Sequence, residues 1–221
     1  MPLQEYKEIV GNVAAVVTIA QFFSPVAIIR KIIVQKSTKN VDPVPFVGGL
    51  GMGIVMLQHG LILNDMAMIP VNIFAFVLNL IYLSIFYKYH QDKSDLLMKL
   101  AKVLAGAAVM VGYAQVEQRI DTTRLEFNYG LIVTLLMFVL IGAPLFNLKE
   151  IIETKNTEML PFPMILSGTV VTSLWLLYGI ILENIFIEVQ NVVGLLLCLA
   201  QLSLFVIFPS KPSEKDLKKK E

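Results

Sequence analysis

The chain has 221 residues, of which 56% are hydrophobic and 16% are charged, and its net charge is +1. This balance excludes an ordinary soluble domain, and the single cysteine, Cys198, excludes an internal disulfide or a cysteine-based metal site. A hydrocarbon core of about 30 Å needs about 20 apolar residues per helix, so the chain has room for seven spans and short loops. We expect a protein embedded in lipid, with no cofactor and no nucleic-acid partner.

In chain order, long apolar runs separated by charge clusters predict seven membrane-spanning helices. Their approximate bounds are 9–29, 44–63, 66–87, 96–116, 127–148, 161–182 and 185–208. All but three of the 18 lysines and arginines fall on one side of the membrane, the exceptions being Lys7, Arg119 and Arg124. The positive-inside rule makes the basic side cytoplasmic, so the N-terminus is predicted outside and the C-terminus inside. The membrane is expected to be the plasma membrane or that of the Golgi or endoplasmic reticulum.

The two halves of the chain repeat each other at a shift of 119 residues. The shift pairs residues that simple lipid solubility does not explain, and it aligns a Lys-x-Thr pattern in the loops. The paired positions are Gly11 and Gly130, Pro25 and Pro144, Lys36 and Lys155, Thr38 and Thr157, Gly60 and Gly179, and Asn72 and Asn191. One residue must be skipped in the cytoplasmic loops, after which Pro45 meets Pro163.

This repeat relates the first three spans to the last three and leaves the fourth unpaired. Because three is an odd number, the fourth span must carry the chain back so that both triplets start on the same side. The predicted fold is therefore an all-α membrane protein with seven transmembrane helices, arranged as two parallel three-helix repeats joined by a linker helix. The predicted parts are a first repeat at 1–93, a linker helix at 94–118, a second repeat at 119–208 and a disordered cytoplasmic tail at 209–221. A substrate site is expected between the repeats, near the midplane.

Several stretches between Gly11 and Phe208 together resemble the SWEET (MtN3/saliva) family of sugar transporters. The first half contributes Ser24-Pro25, Lys36-Ser37-Thr38 and Pro45-Phe46; the second contributes Ala143-Pro144, Lys155-Asn156-Thr157, Pro161-Phe162-Pro163 and Trp175-Leu176-Leu177-Tyr178-Gly179; each half adds the asparagine of its third span. The resemblance implies two three-helix bundles and alternating access. It assigns a hinge role to four prolines, here Pro25, Pro45, Pro144 and Pro163.

The same resemblance implies a sugar site formed by Asn72 and Asn191, facing each other across the axis between the halves. An amide both donates and accepts, which suits a sugar hydroxyl, although an asparagine in a span also joins helices by hydrogen bonds. Trp175 is expected to stack on the sugar ring. Its counterpart is Met56, so a second aromatic wall is missing, and Gln58 or His59 is a further polar candidate. A weakly selective site for a monosaccharide such as glucose follows.

The charged residues inside the spans indicate an uncoupled mechanism. Lys99 and Lys102 lie near the inner end of the fourth span and Glu188 near the outer end of the seventh, and no Asp or Glu falls at the midplane. We therefore predict facilitated, bidirectional diffusion. Asp65, between the second and third spans, is expected to lie in a solvated turn.

Other functions share some of these features. A PQ-loop carrier for another small polar solute, such as an amino acid, has the same triple-helix architecture, and a seven-helix receptor has the same topology. The last span has no lysine for a retinal pigment, and no nucleophile, base and orienting group suggest an enzyme. A membrane scaffold and a homo-oligomer are compatible with the pattern. In the tail, Lys218-Lys219-Lys220-Glu221 fits either a lipid-attracted basic segment or a dilysine retrieval signal.

Overall fold

Helices form all the regular structure that the computed structural model describes, which covers residues 2–39, 41–157, 160 and 162–208, with the backbone alone at Pro2, 141–150 and 154. A short 3-10 helix is followed by eight α-helices. Their bounds are Pro2–Tyr6 for the 3-10 helix, then α1 (Lys7–Gln21), α2 (Val26–Gln35), α3 (Val44–Ile62), α4 (Met68–Tyr89), α5 (Lys93–Glu117), α6 (Thr122–Thr154), α7 (Phe162–Leu182) and α8 (Ile185–Ile207).

Seven stretches of these helices are long and apolar enough to cross a bilayer, which confirms the predicted number of spans. The first stretch, Leu3–Gln35, contains the 3-10 helix, α1 and α2, and it is interrupted by a tight turn before Pro25. The others begin and end close to the predicted runs except the fifth, which was predicted at 127–148 and is found at Thr122–Leu140 among the residues described with their side chains, in a helix that continues to Thr154. The predicted tail at 209–221 lies outside the described residues.

Matched glycines bring the second and third helices of each triplet close together. A methyl group added at Gly60 on α3 would lie 3.2 Å from Met68 Cβ on α4. At the matched place on α7, a methyl group at Gly179 would lie 3.0 Å from Ile187 Cγ2 on α8. Glycine suits both positions because a side chain there would have to displace atoms of the neighbouring helix by a few tenths of an ångström. The repeat is therefore visible in the packing of the helices.

The turns that end these helices also repeat. Four non-glycine residues have a left-handed backbone: Lys36 (φ 48°), Asn64 (φ 48°), Lys155 (φ 51°) and Glu183 (φ 56°). They form two pairs separated by the same 119 residues. In this conformation the residue after a helix lets backbone N–H groups return to the last free carbonyls, which stabilises the helix end.

The turns between the second and third spans of both triplets cap the following helix. Asp65 accepts hydrogen bonds from the amides of Ala67 (3.0 Å) and Met68 (2.8 Å), at the start of α4. Asn184, its counterpart, accepts from Phe186 and Ile187, both at 3.1 Å, at the start of α8. The prediction of a solvated turn at Asp65 is wrong, because its exposed fraction is only 3%. The side chain turns inward to satisfy helix N–H groups that have no partner in the first turn.

The described chain divides into two compact units. One contains residues 11–133, with a core of aromatic and aliphatic side chains in which the rings of Phe46 and Phe86 lie 5.2 Å apart. The linker helix α5 packs against α3 in this unit. The other unit contains residues 2–10 and the chain from 134 onward, with a core that includes Ile151, Ile165 and Leu204.

A buried threonine joins the loop between the first and second spans of each triplet to the end of its third span. Thr38 shares a 2.8 Å hydrogen bond with His90 Nδ1, directly after α4. Thr157 donates to the Phe208 carbonyl over 3.2 Å, directly after α8. These bonds fix the loop of each triplet, and they explain why the Lys-x-Thr pattern is part of the repeat.

Candidate functional site

The two asparagines of the third spans hold their side chains in the same way. Asn72 Nδ2 donates to the Met68 carbonyl over 2.8 Å, and Asn191 Nδ2 donates to the Ile187 carbonyl over 2.8 Å. Each bond uses one of the amide's two N–H groups and none of its oxygen's capacity. Among the described residues, neither Oδ1 accepts a hydrogen bond. Each amide can therefore accept a hydrogen bond from a ligand hydroxyl and donate one to it.

Met56 lies at the same level as Asn72 in its unit. Gly60 on α3 faces Met68 on α4, and Gly53 on α3 faces Phe76 on α4. The antiparallel helices α3 and α4 are therefore in close contact on both sides of this level. On α3, Met56 lies about one turn from both Gly53 and Gly60. On α4, Asn72 lies about one turn from both Phe76 and Met68. Asn72 is 9% exposed and Met56 is half-buried.

Trp175 and Asn191 share a level in the other unit by the same reasoning. Gly179 on α7 faces Ile187 on α8, and Thr172 lies against Gly194, where an added methyl group would be 3.1 Å from Thr172 Cγ2. Trp175 and Asn191 fall between these two contacts. The indole of Trp175 is half-buried and meets the ring of Tyr178 edge to face, with the centroids 5.5 Å apart.

The four prolines lie in different local settings. Pro25 directly precedes α2, at the interruption of the first span. Pro45 and Pro163 are the second residues of α3 and α7, where the N–H group would have no partner inside the helix, so proline removes no helical bond. α6 continues past Pro144, whose side chain lies outside the part that the structure describes. The hinge role of all four stays a prediction.

The last turn of α3 carries a polar side chain that the prediction treated only as an extra contact. His59 is 1% exposed, and within the described part of the chain neither ring nitrogen has a hydrogen-bond partner. Its ring lies 5.9 Å from that of Tyr129, whose hydroxyl donates to the Val55 carbonyl over 3.2 Å. A histidine inside a predicted span was the signal available in the sequence, because ionisable residues are rare there.

A second buried polar contact adjoins Asn191. Gln190 Nε2 donates to Thr134 Oγ1 over 2.7 Å, and both side chains are buried. The bond joins α8 to α6, so it fixes the rotation of α8 beside the asparagine. The matched positions in the first half are Val71 and Ala15, and the sequence repeat therefore gave no indication of this bond.

Comparison with known proteins identifies the relatives of the chain. A family model described as "Sugar efflux transporter for intercellular exchange" matches twice, at residues 8–94 and 127–213, and the two matches are offset by 119 residues. A protein of Drosophila pseudoobscura pseudoobscura called "Sugar transporter SWEET1" is 36% identical over 207 residues, which cover 92% of this chain and 90% of that protein.

More distant relatives have similar descriptions. A "Bidirectional sugar transporter SWEET12" of Oryza sativa subsp. japonica is 27% identical and matches 93% of this chain and 69% of its own length. A solved structure of a eukaryotic SWEET transporter aligns with a TM-score of 0.85 at 23% identity, over 94% of this chain and 98% of that one. This alignment confirms the predicted all-helical fold.

Proposed function

Because the chain belongs to the SWEET (MtN3/saliva) family of integral membrane transporters, we propose that it carries a sugar across the membrane by facilitated diffusion. The direction of transport follows the sugar gradient, and alternating access of the two triplets exposes the site to each side in turn. The charge distribution supports an outer N-terminus and a cytoplasmic C-terminus. The relatives are transporters, so the chain is assigned to a class that is not enzymatic.

The observation that carries the proposal is the matched geometry of Asn72 and Asn191. Both amides donate to the carbonyl one turn earlier and keep the oxygen and one N–H group available. Two such amides supplied by equivalent helices suit a hydroxyl-rich, uncharged solute, because each hydroxyl both donates and accepts. An uncharged amide also costs less in the membrane than a carboxylate, so an empty carrier remains stable.

Trp175 and Met56 narrow the proposed substrate to a monosaccharide such as glucose. Each lies at the level of the asparagine in its own triplet, and the indole provides a flat apolar surface for the C–H face of a sugar ring. Met56 is flexible and imposes little shape. A site with one flat wall and one adaptable wall accepts a single ring with weak selectivity.

The hinge proposal uses the settings of the four prolines. At Pro25 the first span is already interrupted, and at Pro45 and Pro163 a loop enters a helix, so rotation there breaks few backbone hydrogen bonds. Pro144, within α6, completes the set by the repeat. We propose that these positions let the inner ends of the helices move while the outer turns, capped by Asp65 and Asn184, stay intact.

Uptake of radiolabelled glucose into reconstituted vesicles tests the function. The wild type is expected to equilibrate the sugar, and Asn191→Ala and Trp175→Ala are expected to slow uptake about fivefold or more, since each removes contacts worth about 1 kcal/mol or more. Ser173→Ala is the matched control, because Ser173 is exposed on α7 and its hydroxyl bonds only to its own helix. Competition of glucose uptake by amino acids, or no uptake at all, would overturn the proposal.

A further inference from the structure

A second asparagine follows Asn72 on α4, seven residues closer to the basic, cytoplasmic end of the helix. Seven residues make almost two turns, so Asn79 lies on nearly the same face as Asn72, about 10 Å further along the axis. Its Nδ2 donates to the Ala75 carbonyl over 2.8 Å, which repeats the bond from Asn72 to Met68. The proposed function does not use this residue.

α3 leaves space for the side chain of Asn79. A methyl group at Gly49 would lie 2.6 Å from Asn79 Oδ1, so in its observed rotamer the amide oxygen packs against the glycine and would have to shift for a larger residue. Asn79 is half-buried, and within the described part of the chain its Oδ1 accepts no hydrogen bond. An amide oxygen in a membrane-spanning helix is costly when nothing donates to it. A hydroxyl that passes along this face would supply the missing donor.

The other triplet has a weaker hydrogen-bonding group at the matched depth. Cys198 on α8 lies 119 residues after Asn79, and a thiol is only a weak donor and acceptor. At this depth each triplet is polar, while the open acceptor belongs to Asn79.

We propose that Asn79 is a second sugar-contacting residue, which accepts a hydrogen bond from a sugar hydroxyl between the level of Asn72 and the cytoplasm. The inference rests on the proposed sugar transport. A single hydrogen bond to Asn79 binds the sugar weakly. Weak binding suits a position on the transport pathway, because a sugar that is held tightly between the main site and the exit would leave slowly. The competing role is that the amide only joins α3 to α4.

Cysteine labelling separates the two roles. Asn79→Cys is made in a Cys198→Ser background that retains transport, and its reaction with a small charged thiol reagent is timed in vesicles with and without glucose. The adjacent Leu80→Cys is the matched control, because Leu80 is 45% exposed on the outer surface of its unit. We expect the reagent to modify Asn79→Cys, glucose to slow that modification at least threefold, and Leu80→Cys to show no effect of glucose.

Transport kinetics supply the second measurement. Asn79→Ala is expected to raise the KM for glucose about two- to tenfold, the effect of one hydrogen bond, and Asn79→Gln is expected to restore part of it. If the wild type transports glucose but Asn79→Cys is unreactive or unprotected, or if Asn79→Ala lowers stability and leaves the KM unchanged, the amide only packs helices and the inference is wrong. A wild type that transports no sugar overturns the proposed function instead.

Discussion

His59 is a buried side chain whose hydrogen-bonding capacity is unused in the described part of the chain. Leaving a buried donor and acceptor without partners costs about 1–3 kcal/mol. Phenylalanine has a similar shape, can keep the ring contact with Tyr129 and has no polar atom. We therefore expect His59→Phe to raise the free energy of unfolding by about 1–3 kcal/mol, measured by thermal unfolding in detergent.

Tyr129→Phe is the control for that prediction. It leaves the ring pair in place and removes the hydroxyl that donates to the Val55 carbonyl. A loss of about 0.5–1.5 kcal/mol is expected, opposite in sign to the effect at His59. A lower unfolding temperature for His59→Phe would mean that the imidazole has a stabilising partner.

The helix cap formed by Asp65 can be tested by substitution. The matched cap in the other triplet, an asparagine, indicates the control variant. Its carboxylate caps α4, and at the matched position of the other triplet an asparagine caps α8. Asp65→Ala is expected to lower the free energy of unfolding by about 0.5–2 kcal/mol, while Asp65→Asn should change it by much less, because Asn and Asp cap equally well. Equal losses in the two variants would show that the charge matters more than the cap.

The residues of the proposed site stay a prediction. The repeat singled out Asn72 and Asn191, and the family resemblance added Trp175 and its counterpart Met56; the structure adds that both asparagines donate to the carbonyl one turn earlier. The bond from Gln190 to Thr134, present in one half only, was missed, and Asp65 was misread. Asp65 was expected in solvent because a charge between two spans suggests a loop, whereas the direction of its side chain depends on the free N–H groups of α4.

At the scale of the helices, the glycines between the second and third spans give a graded prediction. At Gly179 an added methyl group would meet the backbone nitrogen of Glu188 at 3.1 Å, and a backbone atom cannot rotate away. At Gly60 it would meet Met68 Cβ at 3.2 Å and the Ile69 nitrogen at 3.4 Å. Gly179→Ala should therefore lower the unfolding temperature more than Gly60→Ala, with both below the wild type.

Gly112→Ala is the matched control for these two variants. Nothing lies within 4 Å of a methyl group at this position of α5. Alanine is favoured over glycine inside a helix by about 0.5–1 kcal/mol, so stability is expected to hold or rise slightly. If Gly179→Ala behaves like Gly112→Ala, α7 and α8 are not in close contact at this point.

The bounds of the spans were predicted accurately where the composition changes sharply and less accurately elsewhere. The predicted span 44–63 corresponds to Val44–Ile62, because prolines and charges bound it on one side and Asn64-Asp65 on the other. The first span was predicted at 9–29 but extends over Leu3–Gln35, since the charges of Lys7 and Glu8 obscured its start. The left-handed backbone conformation of Lys36, directly after α2, cannot be predicted from residue propensity, because lysine rarely adopts that conformation.

At the scale of the molecule, duplication gives each triplet the same helix pairing, turns and caps, and the later substitutions make them unequal. The first triplet has His59, Asn79 and Met56 where the second has Tyr178, Cys198 and Trp175. At these three positions the first triplet therefore has an imidazole, an amide and a thioether, and the second has a phenol, a thiol and an indole. For the proposed sugar transport, this difference predicts that substitutions at matched positions of the two triplets have unequal effects.

The absence of acidic residues at the predicted midplane leads to the last prediction, that transport is not coupled to protons. A proton gradient can drive the accumulation of sugar only if a group on the transport pathway gains or loses a proton in the step that moves the sugar. The sugar is neutral, so the protein would have to supply that group. In vesicles, the internal glucose concentration is expected to stop at the external one, with or without a pH difference. His59→Gln, which keeps a polar side chain that does not titrate, should reach the same level. Accumulation above the external concentration in the wild type, lost in His59→Gln, would make His59 a proton carrier and contradict facilitated diffusion.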